Sequence, residues 1–226
     1  DYEEWSPQAD RLIPRQFSAE DLAGKARCKQ ALQERAHLPE APEVPVIGLV
    51  SRLAGQKGFD LFPPVLPRLL QQHQFQLIVT GSGERRFERM FRQLATQFPR
   101  QVRFNNAFDN EMAHWIEAGS DFFLMPSRYE PCGLNQLYSL KYGTVPIVRK
   151  TGGLADTVEL WNPRTGTGTG IVFETWDAFG LYWAISTALK TWQDRNAYRR
   201  LQQNGMAQDF SWDHQAEKYE QLYQRL

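Results

Sequence analysis

Three stretches of this chain hold residue types that can bind an anion and act on a group attached to it. In Ser51-Arg52-Leu53-Ala54-Gly55-Gln56-Lys57-Gly58 a glycine lies between two cations. Arginine offers a fork of donors that matches two phosphate oxygens, and lysine a compact point charge. The turn can aim both at one anion, or both can be ordinary surface cations. In Pro126-Ser127-Arg128-Tyr129-Glu130-Pro131-Cys132-Gly133-Leu134-Asn135-Gln136-Leu137-Tyr138 a carboxylate is held between an aromatic residue and a proline. A helix is expected from Gly133 to about Tyr142. The N–H groups of Gly133, Leu134 and Asn135 would then be free donors of a first turn, where a phosphate can sit. Glu130 is a poor phosphate ligand, and its natural partners are hydroxyl groups on whatever the phosphate carries. The competing reading makes it an acidic charge at a helix start. Thr151-Gly152-Gly153 opens a third turn, and paired glycines let backbone come close to a ligand.

Other signals are weaker. Gly81-Ser82-Gly83 is half of a dinucleotide fingerprint, but Arg86 stands where its third glycine would be, so a tight turn is the better reading. Arg85, Arg86, Arg89 and Arg92 are interleaved with Glu84 and Glu88, the pattern of a solvated helix face. Cys28 and Cys132 have no metal-ligand spacing around them, and no metal site is expected.

The elements that carry these turns read as strands over 44–50, 75–80, 101–104, 122–125, 145–148 and 171–173. They are continuous apolar runs, as expected where helices cover both faces of a parallel sheet. The fold class is α/β, a doubly wound Rossmann-like parallel sheet with helices on both faces and a helical C-terminal tail. Phe87, Met90, Phe91, Leu94 and Phe98 recur at helical steps. Ser18-Ala19-Glu20-Asp21 offers a capping-box-like start to a helix ending near Arg35, and 177–192, 195–208 and 213–226 read as three further helices, the last capped by Ser211 or Asp213. Pro63, Pro64 and Pro67 require the helix after Lys57 to start late or kink. The Gly/Thr run over 162–170 reads as a mobile excursion. In such a sheet ligands bind at the carboxyl ends of the strands. Several anion-friendly turns at one rim point to a diphosphate, and nucleotide-sugar binding is the leading idea.

The 226 residues are 42% hydrophobic, with 26 basic and 26 acidic side chains in balance. That composition supports a buried core and excludes a disordered tail or an obligate polyanion binder, so no nucleic-acid partner is expected. Apolar runs fall short of the ~18–20 residues that cross a bilayer, and no leader opens the chain, so no membrane association is expected. Two cysteines fit a reducing compartment. The layout is read as one nucleotide-sugar-binding domain over 1–226, with a helical lead-in (1–43), an α/β core (44–174) and C-terminal helices (175–226). A start at Asp1, without Met, is read as a fragment or processed form.

The motif Ser127-Arg128-Tyr129-Glu130-Pro131-Cys132-Gly133-Leu134-Asn135-Gln136-Leu137, followed by Lys141-Tyr142-Gly143-Thr144-Val145-Pro146 and Thr151-Gly152-Gly153-Leu154-Ala155-Asp156-Thr157-Val158, resembles the C-terminal domain of bacterial glycogen synthases and plant starch synthases. The resemblance runs from Trp5-Ser6-Pro7 to Asp209-Phe210-Ser211-Trp212. It implies the donor-binding lobe of a GT-B glycosyltransferase, with the acceptor-binding N-terminal lobe absent. By motif, Arg52 and Lys57 would grip the donor's phosphates, the amides of Gly133 and Leu134 would complete that site, and Glu130 would contact the transferred glucose as the catalytic-site carboxylate. Phe108 stands where the family commonly has a tyrosine beside adenine. Tyr138 takes the place of a second glutamate found in the wider superfamily, which leaves the ribose contact there open. Cys132, Asn135, Thr151, Gly152 and Gly153 complete the implied substrate-binding set.

The activity implied is retaining transfer of glucose from ADP-glucose, or less often UDP-glucose, to the non-reducing end of an α-1,4-glucan, with neither cofactor nor metal. The isolated chain would bind ADP or ADP-glucose but lack turnover, since its glucan acceptor would bind through the absent lobe. The compartment implied is the bacterial cytoplasm, or a plastid for a plant-type source. Two alternatives stay open: a related retaining glycosyltransferase with a small acceptor, and a non-catalytic nucleotide-sugar or glucan-binding module. For the latter, Trp161 and Trp176 are the candidate sugar-stacking surfaces, while Trp183 and Trp192 are expected to pack within helices. The Cys132 thiol is read as a small side chain lining the cleft.

Overall fold

The computed structural model describes residues 2–224. Six strands, β1 (Val46–Val50), β2 (Gln76–Thr80), β3 (Val102–Asn105), β4 (Phe122–Met125), β5 (Val145–Arg149) and β6 (Ile171–Phe173), form one sheet in the order β3-β2-β1-β4-β5-β6. Every pairing is parallel, with Ile47 opposite Leu77 on one side and Phe122 on the other. Because successive side chains alternate faces, each strand feeds two cores. Ile47, Leu77, Phe122 and Ile147 point to one, covered by α2 (Leu66–Gln72), α3 (Arg85–Gln97), α7 (Ala178–Gln193) and α8 (Arg195–Met206). Val46, Ile78, Phe123 and Val148 point to the other, beneath α1 (Ala23–Arg35), α4 (Asn110–Gly119) and α6 (Gly152–Thr157). The helix α5 (Asn135–Lys141) follows β4, and α9 (Trp212–Tyr223) closes the described chain.

The doubly wound reading holds, and each expected strand lies within about two residues of its place. Two local expectations are corrected. The Ser18 motif does not open α1: Ser18 Oγ accepts from Asp21 N–H, Asp21 Oδ1 accepts from Ala23 N–H, and the helix begins only at Ala23. The 162–170 segment is pinned rather than loose. Its backbone closes on itself (Asn162 N to Thr167 O, 2.8 Å), and Asn204 Nδ2 donates to the Gly166 and Gly168 carbonyls. A Gly/Thr run with little side chain to bury is held through its backbone instead. The expected helix over 213–226 is observed as α9, capped by Ser211 Oγ accepting from His214 N–H; residues 225–226 lie outside the described residues. After Lys57 the helix does start late. Single 3-10 turns at Gly55–Lys57 and Phe59–Leu61 precede α2, and Pro67 sits in its first turn, where a missing N–H costs no bond.

The strand order reverses direction between β1 and β4. That is the topological switch point, where the turns leaving two neighbouring strands diverge and open a crevice at their carboxyl ends. The turn after β1 carries Arg52 and Lys57, and the turn after β4 carries Glu130. Among the described residues, no helix is long and apolar enough to cross a membrane.

Candidate functional site

Three turns are locked to one another before any side chain enters the crevice. Gly58, at φ 83°, brings the first turn so close to the second that a Cβ would lie 1.9 Å from the Pro126 carbonyl oxygen. Gln56 then bridges them twice, its carbonyl accepting from Arg128 N–H (2.8 Å) and its side-chain amide donating to Tyr129 O (3.1 Å). Gly152, at φ 44°, sets the third turn against the second, since a Cβ there would meet Glu130 O at 2.1 Å. Gly153 N–H donates to that carbonyl at 3.1 Å, and the Arg149 guanidinium donates to the Arg128 carbonyl. The loop bearing Glu130 is thus fixed from both sides.

Its side chain is consequently held in one place. Glu130 is 7% exposed, and its Oε2 accepts from Lys57 Nζ at 2.5 Å and Ser127 Oγ at 3.1 Å. Oε1 has no protein partner among the described residues. Glu130 lies outside the first turn of α5, which contains no acidic residue, so it is not a helix-start charge. Arg52 is exposed, and its guanidinium pairs with no carboxylate among the described residues. The N–H groups of Gly133, Leu134 and Asn135 likewise have no protein acceptor there. These residues surround one cavity of about 750 Å³, together with Trp5, Gly81, Ser82, Phe108, Asn110 and Ser127. Phe108 stands at its rim with its ring 93% exposed. Asn135 ties α5 to the end of β1, donating from Nδ2 to Val50 O at 3.1 Å.

Arg52, Lys57, Phe108, Glu130, Gly133, Leu134 and Asn135 therefore share one cavity. The structure does not bring Cys132, Tyr138, Thr151, Gly152 or Gly153 into its lining. The Cys132 thiol is exposed and turned to the Gly133 carbonyl (3.4 Å), which corrects its reading as a cleft-lining side chain. Gly152 and Gly153 let backbone approach backbone, as the crowding of a Cβ against Glu130 O and Cys132 O shows. Thr151 is half-buried ahead of α6, with its carbonyl accepting from Leu154 N–H. Tyr138 is stacked on the indole of Trp5, with ring centroids 4.2 Å apart. Trp161 is buried in the core, and the Trp176 ring is covered by the Arg128 guanidinium at 5.1 Å, which removes both proposed stacking surfaces. Conversely, Trp183, expected to be packed, is 39% exposed.

Sequence reasoning named Trp5, Ser127 and Gln56 within motifs but gave them no place in the site, and read Gly81 and Ser82 only as part of a tight turn. Ser127 lies within the very motif that drew attention, and an acid three residues after a buried hydroxyl was a usable signal. Trp5 offered none, because what places it is tertiary. Its indole stacks on His114 (3.7 Å) as well as Tyr138, and Asp10 Oδ2 receives both His114 Nδ1 (2.7 Å) and Tyr142 OH (2.5 Å). Burial alone would push the Asp10 carboxyl up, but hydrogen bonds from His114, Tyr142 and the Leu12 N–H outweigh it and hold it below its ordinary range. An ionised carboxylate can only accept, so His114 carries its proton on Nδ1. Burial, and then the bond to Asp10, push the Tyr142 phenol up. No cluster of three or more His, Cys, Asp or Glu side chains among the described residues could hold a metal ion.

Among the described residues, the crevice brings together a guanidinium and backbone amides with no protein partner, an ammonium, an exposed ring and a buried carboxylate with one open oxygen, a set that suits a diphosphate, a flat base and a hydroxyl-bearing group. Comparison with known proteins gives the same class. The sequence model of the family described as glycosyl transferases group 1 matches residues 31–208. A glycogen synthase of Koribacter versatilis is 50% identical over all of this chain and 46% of its own length. A glycogen synthase of an Anaeromyxobacter species is 48% identical, again over all of this chain and 47% of its own length. Among solved structures, the catalytic domain of starch synthase IV from Arabidopsis thaliana, bound to ADP and acarbose, superposes with a TM-score of 0.90 at 36% identity, over 100% of this chain and 47% of that one. A sucrose-phosphate synthase from Thermosynechococcus elongatus shares the fold, at a TM-score of 0.62 and 24% identity over 88% of this chain and 50% of that one. The chain spans about half the length of each of these relatives.

Proposed function

The chain belongs to the glycosyl transferases group 1, and from that premise we propose that it is the donor-binding part of a glycogen or starch synthase, transferring glucose from ADP-glucose to the non-reducing end of an α-1,4-glucan with retention. The observation that carries this reading is the meeting of Arg52, Lys57 and Glu130 in one crevice at the β1/β4 switch point, beside the unpaired amides of Gly133 and Leu134. The glucan would bind through residues of the longer protein, on a lobe facing this crevice.

Glucosyl transfer breaks the bond between the anomeric carbon and the β-phosphate oxygen and forms one from that carbon to a glucan hydroxyl oxygen, whose proton passes to the departing diphosphate. Negative charge grows on the departing ADP and positive charge on the sugar ring. Lys57, held by Glu130, and the two backbone amides are fixed donors for the first charge and need little reorganisation as it develops, while the exposed Arg52 can swing in to add a second cation. They supply the positive field themselves, and we assign the transfer neither metal nor cofactor. In the free site Lys57 is neutralised by Glu130; an arriving diphosphate would share the ammonium and leave the carboxylate to the hexose. Glu130 Oε1 can then accept from a sugar hydroxyl, while its charge favours the oxocarbenium-like state. Ser127 keeps Oε2 from turning away. We place the protein in the bacterial cytoplasm or, for a plant-type source, a plastid, with no nucleic-acid or membrane partner.

Radiolabelled transfer by the full-length protein tests the assignment. Glucose should pass from ADP-glucose to glycogen, and less well or not at all from UDP-glucose. Label appearing on a small sugar phosphate, or no transfer to glucan from either donor, would refute it.

A further inference from the structure

Trp5 is half-buried in the wall of the crevice, and its indole N–H has no protein acceptor among the described residues. Unlike the Trp176 indole nitrogen, which is buried without a partner, the Trp5 nitrogen is open to solvent and free to meet a ligand. Here the ring's faces are committed to His114 and Tyr138, stacked within 16° and 5° of parallel, and Tyr142 meets it edge-on at 6.5 Å. Those neighbours are themselves fixed, because Asp10 joins His114 to Tyr142 and all three are buried. Trp115 adds a further clamp, donating from Nε1 to the Leu12 carbonyl at 2.7 Å. This network, although His114 Nε2 is buried in it with no hydrogen-bond partner among the described residues, specifies one geometry through the two bonds to Asp10. What it specifies is the position of an indole whose unshared edge carries a donor.

The place of that edge follows from the two helices it joins. His114 adjoins Ala113, which lines the crevice one turn beyond Phe108, Asp109 and Asn110. Tyr138 lies one turn into α5, directly beyond Leu134 and Asn135. The indole therefore spans from the helix behind the exposed ring to the helix behind the unpaired amides. In a nucleoside diphosphate the group connecting base to phosphate is the ribose. We infer that Trp5 is a further binding residue, whose N–H donates to a ribose hydroxyl of the bound nucleotide, with Asp10, His114, Tyr138 and Tyr142 as the residues that position it. The inference rests on the donor-site reading above and adds to it the contact that tells a nucleoside diphosphate from a bare diphosphate.

Titration of the full-length protein with ADP, 2′-deoxy-ADP, 3′-deoxy-ADP and inorganic pyrophosphate separates the two claims. In the unmutated protein, ADP and pyrophosphate should both bind, and absence of both would remove the donor site itself. Trp5→Phe keeps an aromatic ring in the stack and deletes the donor. It should weaken ADP about three- to tenfold, the worth of one neutral hydrogen bond, while pyrophosphate affinity stays unchanged. One of the two deoxy nucleotides should bind the variant and the unmutated protein equally, since the partner of the lost donor is already gone. Unchanged ADP affinity, or an equal loss of ADP and pyrophosphate, would overturn the inference while leaving the donor site standing. Should the variant fail to fold, tryptophan-selective 15N labelling of the unmutated protein gives the same decision. An indole N–H resonance should move downfield with ADP and stay in place with pyrophosphate, and no such movement would count against the contact.

Discussion

Glu130→Gln is expected to lower kcat for glucosyl transfer by about 100- to 1,000-fold, the range found when one preorganised electrostatic partner is removed from a reacting centre. The fold should survive it. A glutamine carbonyl oxygen can still accept from Ser127 Oγ and Lys57 Nζ, which meet one carboxylate oxygen at 3.1 and 2.5 Å. What is lost is the negative charge beside the sugar. Because that charge matters most as the ring becomes cationic, kcat and kcat/KM should fall together with KM little changed. Steady-state kinetics on the full-length protein would read this directly. A kcat within about threefold of the unmutated enzyme would show that the carboxylate serves only to neutralise Lys57.

Removing the cations should instead act on nucleotide affinity. Arg52 makes no ion pair among the described residues, so Arg52→Ala should leave the unfolding midpoint unchanged while weakening ADP about 10- to 100-fold, the worth of a charge-assisted hydrogen bond to phosphate. Lys57 is different. Its ammonium is the counter-ion of a carboxylate whose side chain is 9% exposed, so Lys57→Met strips a buried charge of its partner and adds repulsion toward the diphosphate. A loss of stability should accompany the loss of ADP affinity, and Glu130→Gln placed on top should restore much of the first but not the second. Calorimetric titration together with thermal unfolding separates the two effects. ADP affinity unchanged in both single variants would put the diphosphate elsewhere.

The strands were legible because a strand covered by helices on both faces has no polar alternation, and runs such as Phe122–Met125 have few other readings. The turns were legible because cations, an acid and glycines clustered where such a sheet presents its ligands. Their mutual contacts were not. Gly152 and Gly153 looked like room for a ligand, yet the space they vacate is filled by the backbone of Glu130 and Cys132. Composition does not say which backbone approaches a glycine. Trp161 sits beside a Gly/Thr run that suggests exposure, but the run folds back through backbone hydrogen bonds and Trp161 turns into the core. Trp5 lies far in sequence from the three anion-binding turns, and its stack on His114 and Tyr138 exists only once α4 and α5 are packed together.

A crystal structure of the full-length protein with ADP would test the convergence of these turns most directly. The diphosphate should lie between the Arg52 guanidinium, the Lys57 ammonium and the amides of Gly133 and Leu134, with the adenine against Phe108 and Glu130 facing the space beyond the β-phosphate. ADP bound away from the β1/β4 crevice, or seated there with neither cation in contact with its phosphates, would contradict the account.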